Sequence, residues 1–398
     1  MVTSVAAGGP RRALVVGSAV TVVCSLPAFL TGALAVELTR DLAFGTVGIG
    51  GAVAAFFATM ALSSIHLGRL VDRLGAIASM RLAVIAGGTA ALGISVLAVS
   101  WLTLAGWLVL AGLAAAFAQP AANRLLVNRI RLARLGTAFG LKQSAPPVAS
   151  MLAGLSVPAI ALTVGWRWSY GLVALAALVV AFVVGPRPAT APPVAPRAGW
   201  EKLAPLRDRP TLVVLAAGFG LAFVASSTVL AFYVDAAVRA GVAYRNAGVV
   251  FAAGSLMAIA TRLVLGIATD RFAFSPLRLS AGLLAAGACG LVLLATGHPI
   301  AMGFGAVVAL AGTWGFPGLF WFALVSAYPQ VPGRITGVMA PAALGGALGP
   351  VGFGVLASSL GYALAWWLAG LAAMLSATAL LFGAHRLRVS APDADALS

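Results

Sequence analysis

Two basic residues stand inside stretches that are otherwise apolar. Lys142 lies about six residues into its apolar run, or ~9 Å at 1.5 Å of rise per residue. Arg262 lies eight residues before Asp270, or ~12 Å by the same rise. A charge at the centre of a helix in lipid costs on the order of 2.5–3.5 kcal/mol, so such charges are usually kept for work. No acid lies deep in an apolar run to answer them: Glu37, Asp41, Asp72, Glu201, Asp208, Asp235, Asp270, Asp393 and Asp395 fall between runs or near their ends. Two cations without a carboxylate attract an anion, and an arginine fork can hold both oxygens of a carboxylate at once. The chemistry on offer is therefore the binding of a small anion. Both side chains are also long enough to snorkel to the nearer surface, in which case they only anchor their helices.

Little else in the chain offers chemistry. Cys24 and Cys289 fall inside apolar runs, and His66, His298 and His385 have no metal-ligand neighbours. No nucleophile–base pair or phosphate-binding loop stands out, so the sequence predicts no metal, no cofactor and no enzyme. Gln119, Asn123, Tyr233 and Trp314 are the polar and aromatic residues that could shape a substrate site beside the cations. Interface anchoring and backbone satisfaction within helices explain such residues equally well. Trp101, Trp166, Trp168, Trp366 and Trp367 lie at run ends, where a belt of aromatic residues at the membrane surface is expected.

The elements that carry these residues follow from composition. Of 398 residues 62% are hydrophobic and only 9% charged, with a mean hydropathy of +1.06. Soluble chains run to about 25% charged residues, so the solvent for this chain is lipid. The net charge of +16 does not indicate nucleic acid, because the basic residues lie in the gaps between apolar runs. About 20 apolar residues cross a bilayer as a helix. On that measure the chain predicts twelve spans, near 13–36, 46–67, 79–100, 102–123, 136–161, 166–185, 211–234, 246–268, 277–297, 300–326, 335–357 and 362–384. The first run is too long for a cleavable signal peptide. The domains expected are a cytoplasmic tail at 1–12, a six-helix bundle at 13–185, a Pro/Arg-rich cytoplasmic loop at 186–210, a second bundle at 211–384 and a cytoplasmic tail at 385–398. With the N-terminus inside, 19 of the 25 Lys and Arg residues fall in inner segments and 4 in outer ones. That split predicts cytoplasmic N- and C-termini.

The two halves repeat. Asp72-Arg73 recurs as Asp270-Arg271 after 198 residues, Gly165-Trp166 as Gly361-Tyr362 after 196, and Gly140 as Gly337 after 197. Halves related in this way, with a midplane site between them, are the sequence mark of secondary transporters. Lys142 corresponds to Met339 and Arg262 to Ser64, so the repeated scaffold does not demand either charge.

The segment Gly68-Arg69-Leu70-Val71-Asp72-Arg73-Leu74-Gly75 resembles the G-x-x-x-D-R-x-G loop of the major facilitator superfamily, with a partial copy at Gly266, Asp270 and Arg271. The resemblance covers nearly the whole chain. It implies an all-α membrane protein of twelve transmembrane helices in two six-helix repeats. It also implies that Gly68, Asp72, Arg73, Gly75, Gly266, Asp270 and Arg271 form a conformational latch on the cytoplasmic side. Gly68 is expected to let helix backbones approach, Asp72 to meet a helix N-terminus and Arg73 to pair with a carboxylate. In that architecture spans 5 and 8 are neighbours, so Lys142 and Arg262 would face one cavity. The basic run that follows the motif in the family is missing, with Ala76-Ile77-Ala78 in its place, and Leu108 stands where proton-coupled members carry an arginine.

Arg262-x-x-x-Gly266-x-x-x-Asp270 resembles span 8 of the oxalate/formate exchangers, and its first part resembles the monocarboxylate transporters. Gly140-Leu141-Lys142-Gln143-Ser144 and Gly315-Phe316-Pro317-Gly318 resemble permeases of the cyanate-transporter type. Gly345, Gly349-Pro350 and Gly354 resemble the glycine–proline motif of exporters, but in span 11 rather than span 5.

These observations predict a secondary active transporter moving a small, carboxylate-like anion across the cytoplasmic membrane by rocker-switch alternating access. The expected partners are the solute, protons or a counter-anion, and the lipid bilayer. No nucleic acid is expected, and the protein should be a monomer. Glu37 or Asp235 would serve any proton coupling. A multidrug or metabolite efflux pump, and a transport-inactive sensor or scaffold on the same fold, are the alternatives.

Overall fold

Helices that satisfy every backbone hydrogen bond internally can cross lipid, and the described residues are helical almost throughout. The structure, a computed structural model, describes residues 9–129, 141–185, 209–271, 274–328 and 338–389. Twelve helices are long and apolar enough to span a bilayer. They are α1 (Arg11–Ala33), α2 (Thr46–Leu74), α3 (Ala76–Leu97), α4 (Trp101–Leu126), α5 (Leu141–Val164) and α6 (Trp166–Val184) in the first half. The second half has α7 (Arg209–Arg239), α8 (Tyr244–Thr269), α9 (Pro276–Ala295), α10 (Pro299–Leu324), α11 (Pro341–Ser359) and α12 (Tyr362–Leu387). A short helix, Ala35–Asp41, follows α1. The tail up to residue 8, the central connection at 186–208, the tail from 390, and the landmarks Gly140 and Gly337 lie outside the described residues.

The apolar runs mark where lipid lies better than where helices end. α2 continues as helix to Leu74, so the expected loop of Gly68 to Leu74 is helical, and the turn falls on Gly75 with φ +83°. That left-handed conformation is open to glycine and strained for other residues. The helix of α8 likewise runs on to Arg271. Two of the expected belt tryptophans are core instead: Trp166 and Trp366 are buried, while Trp168 and Trp367 are exposed.

In the first half α4 packs on α1, α2 and α3, and α3 on α6; in the second α12 packs on α7 and α9, and α10 on α8 and α9. Among the described residues the pairs that chiefly join the halves are α1 with α7, α2 with α11 and α5 with α8. Chain alternation puts the start of α1 and the end of α12 on one face, here the terminal face. At the other face the joining pairs touch backbone to backbone. A Cβ on Gly32 would strike the Leu230 carbonyl, and one on Gly50 the Pro350 carbonyl. A Cβ on Gly154 would stand 2.7 Å from the Gly248 carbonyl oxygen, and one on Gly248 would stand 2.8 Å from that of Gly154. Gly50 and Gly248 are 198 positions apart, as are Gly32 and Leu230, so the duplication builds this seal symmetrically. In α11 a Cβ on Gly354 would stand 3.3 Å from the Thr46 carbonyl oxygen across the interface, while one on Gly349 would stand 2.8 Å from the Ser227 hydroxyl of α7, within the second half. Towards the terminal face, a Cβ on Gly68 or Gly266 meets nothing within 4 Å among the described residues.

Gly50→Ala should therefore lower thermal stability in detergent, with overpacking worth about 1–3 kcal/mol. Gly68→Ala, mid-helix and unobstructed, should gain about 0.5–1 kcal/mol. Melting curves of the two variants against wild type check both.

Candidate functional site

Lys142 is the second described residue of α5 and is fully buried. Its Nζ donates a hydrogen bond to Gln119 Oε1 of α4. Asn123 lies one turn further along the same face of α4, and its Oδ1 is buried without a hydrogen-bond partner. Gln119 and Asn123, both named from sequence, thus flank the lysine's helix.

Arg262 of α8 is 9% exposed, and its Nε donates to the Trp314 carbonyl oxygen at 2.6 Å. That carbonyl is accessible because α10 is interrupted: one helical segment ends at Gly315 and the next begins at Pro317. Proline has no N–H to offer the carbonyl four residues back. The Thr313 carbonyl, which faces that gap, stands 2.7 Å from Ser226 Oγ. The indole N–H of Trp314 in turn donates to the Ser226 carbonyl at 3.0 Å. The two terminal guanidinium nitrogens of Arg262 make no hydrogen bond among the described residues, which leaves a fork of donors uncommitted.

The helix register sets the two cations level. Along the antiparallel pair α5 and α8, Gly154 faces Ala252, with its Cβ position 2.8 Å from the Ala252 nitrogen, and Ser150 Oγ lies 2.7 Å from Ser255 Oγ. From the serine pair, Lys142 is ~12 Å back along α5 and Arg262 ~10 Å on along α8. Each cation turns into its own half, Lys142 towards α4 and Arg262 towards α10. Each rests on a neutral oxygen. The ion pairs of the described residues are Arg40–Asp41, Arg124–Asp72 and Arg239–Asp235, and none involves either cation.

The remaining sequence candidates lie elsewhere. Tyr233 is fully buried and stacks on Phe251, with ring centroids 6.2 Å apart and planes at 11°, away from both cations. Asp235 is committed: it accepts from Arg239 Nε at 2.9 Å and from the Tyr362 hydroxyl. Glu37, on the short helix after α1, keeps Oε2 buried and unpartnered. Burial raises its pKa, with Arg40 pulling it back down and Asp41 pushing it up.

The latch residues differ from expectation. Asp72 accepts from Arg124 Nη1 of α4 at 2.9 Å rather than from a helix N-terminus, and its side chain is 77% exposed. Arg73 has no carboxylate partner among the described residues, and Gly68 supports no close approach. The side chains of Asp270 and Arg271 lie outside the described residues. Sequence reading missed the aromatic residues around Trp314 and the glycine seal. The repeat offset that relates Gly50 to Gly248 could have found the seal.

Residues 17–343 match the sequence profile of the Major Facilitator Superfamily. The chain belongs to that superfamily. Its fold is similar to a bacterial homolog of the human lysosomal transporter Spinster, in an inward-facing and occupied conformation, at TM-score 0.70 and 16% identity. That likeness covers 96% of this chain and 97% of the other. It is also similar to a D-xylose–proton symporter, at TM-score 0.76 and 14% identity over 93% of this chain and 97% of that one. No curated protein matches the sequence as a relative. As a member of the Major Facilitator Superfamily, the chain is a multi-pass membrane protein, a transporter of a small solute and not an enzyme.

Burying a cation on a neutral partner is a cost the fold carries. Arg262→Met should raise the melting temperature of the substrate-free transporter. Gln119→Leu should lower it, at a stability cost of about 1–3 kcal/mol, because Lys142 loses its acceptor. Detergent melts of both variants beside wild type test the pair.

Proposed function

We propose that this transporter carries a small carboxylate-like anion across the cytoplasmic membrane, with its termini inside, acting as a monomer. One observation carries the reading: two buried cations stand level on α5 and α8, the helices that join the halves, and hold only neutral acceptors. An anion bridging them replaces weak partners with charge-assisted ones. Gln119, Asn123 and Trp314 shape the site around it. Tyr233 contributes by packing the wall behind.

Alternating access by a rocker switch fits the distribution of close contacts. The glycine seal holds the halves together towards the face opposite the termini, while a Cβ on Gly68 or Gly266 meets nothing within 4 Å among the described residues. In the reverse state the seal parts, and the duplicated motif with Asp72, Arg73, Gly75, Asp270 and Arg271 latches the terminal face. Glu37 is the coupling candidate, since an acid with a raised pKa takes a proton more readily near neutrality. Asp235 is spoken for by Arg239 and Tyr362.

In proteoliposomes, Arg262→Ala should cut uptake of a transported carboxylate by about 10–100-fold, the equivalent of charged hydrogen bonds worth about 1.5–3 kcal/mol. Lys142→Ala should act in the same direction. Uptake unchanged in both variants across a panel of carboxylates would remove the site assignment. Glu37→Gln should flatten the dependence of uptake on an imposed pH gradient. A gradient response equal to wild type would take the coupling role from Glu37.

A further inference from the structure

Beyond Trp314, which holds Arg262, the interface of the halves is built of rings. Trp314, whose carbonyl holds Arg262, sets its indole against Phe29 of α1 at 5.5 Å between centroids and against Phe223 of α7 at 6.1 Å. Phe223 continues to Phe57 of α2 at 5.6 Å, edge to face. Phe29 and Phe57 belong to the first half, Phe223 and Trp314 to the second. The four rings therefore meet across the interface of the halves, between the cations and the glycine seal.

Phe223 is only half-buried. Its ring touches α2 and α10 and lies against α11, where a Cβ on Gly346 would come within 2.7 Å of it. With neighbours on those sides, the uncovered part of the ring faces the space between the halves rather than lipid.

The hydroxyl protons beside these rings are committed. Ser227 and Thr228 each donate to a carbonyl of their own helix at 2.8 Å, as do Thr313 at 2.8 Å and Thr59 at 2.7 Å. Ser226 is held between the carbonyls of Ala222 and Thr313. A polyhydroxylated solute would find few free partners here, and burying its hydroxyls unpaired is costly. A minimal anion such as formate would leave the ring surfaces unused. Among the described residues the Arg262 fork, beside Trp314, and Asn123 Oδ1, on α4, are uncommitted.

From this division of polar and apolar surface we infer that the solute is a monocarboxylate with an aromatic body, its carboxylate on Arg262 and its ring against Phe223 and Trp314. Aromatic surfaces favour edge-to-face or offset contact at the spacing these rings already keep. The inference rests on the anion reading above and adds the identity of the body.

Titration calorimetry on the purified protein in detergent tests it, with sodium benzoate, sodium acetate, sodium gluconate and benzyl alcohol as probes. The proteins are wild type, Arg262→Ala, Phe223→Ala and Phe223→Leu. Benzoate should bind wild type at least about tenfold more tightly than acetate, because only benzoate buries a ring. Phe223→Ala should bring the benzoate-to-acetate ratio close to one, and Phe223→Leu, which keeps more of the volume, should retain part of it. Arg262→Ala should lose both carboxylates. Acetate as tight as benzoate, or gluconate as tight, with Arg262 required in each case, overturns the aromatic inference and leaves the anion reading standing. Benzyl alcohol as tight as benzoate, or benzoate binding indifferent to Arg262→Ala, overturns the anion reading and the inference with it. No binding of any probe overturns both.

Discussion

A charge held in an apolar bundle must find a partner, and the structure around Lys142 and Arg262 is arranged by that constraint. Among the described residues neither cation has a carboxylate partner. Lys142 takes the amide oxygen of Gln119, and Arg262 takes a backbone carbonyl that an interrupted helix exposes. The proline at 317 leaves the Thr313 carbonyl without its helical donor, and Ser226 takes it, while Arg262 takes the Trp314 carbonyl beside the break. Neutral oxygens satisfy geometry without cancelling charge. The site is stable enough to fold and still unsaturated, which is the condition for a ligand to gain by binding.

Duplication supplies the rest. The same offset that repeats the Asp-Arg pair also places Gly50 and Gly248 on the two equivalent joining helices, and relates Gly32 to the residue whose carbonyl it meets. A symmetrical seal is what repeated halves produce when their backbones must touch. The cations break that symmetry, with Met339 and Ser64 at the corresponding positions. On the proposed reading scaffold and site therefore separate: the repeated residues close faces, and the unrepeated ones recognise the solute.

Much of this was legible in the chain. Twelve spans, their pairing by repeat and the superfamily follow from apolar length and one motif, because lipid permits few alternatives. The pairing of Lys142 with Gln119 was within reach, since both were named and neighbouring helices were expected. Four features were not legible. Gly68 to Leu74 looks like a loop because charge begins there, yet a helix leaving lipid keeps its own hydrogen bonds and has no reason to stop. Asp72 pairs with Arg124, a residue 52 positions away that no local pattern connects to it. Tyr233 carries a hydroxyl and a ring like any site residue, and only packing shows that it stacks inside the core. Aromatic walls are hidden for the same reason, because Phe29, Phe57 and Phe223 come from three helices and share no spacing.

On the proposed reading, the placement of the two cations also couples binding to movement. A ligand can shift a conformational equilibrium only by the difference in its affinity for the two states. Lys142 and Arg262 belong to different halves, and each now leans back into its own half. An anion held by both adds an attraction between the halves at the level of the cations, on the terminal-face side of the glycine seal. That is the side on which Gly68 and Gly266 still lack contacts. Closing that face shortens the distance over which the anion must bridge and strengthens both charged bonds as water leaves. The state that brings the duplicated motif together is thus the state that holds the anion more tightly. Two cations confined to one half would bind the same solute and gain nothing from closure.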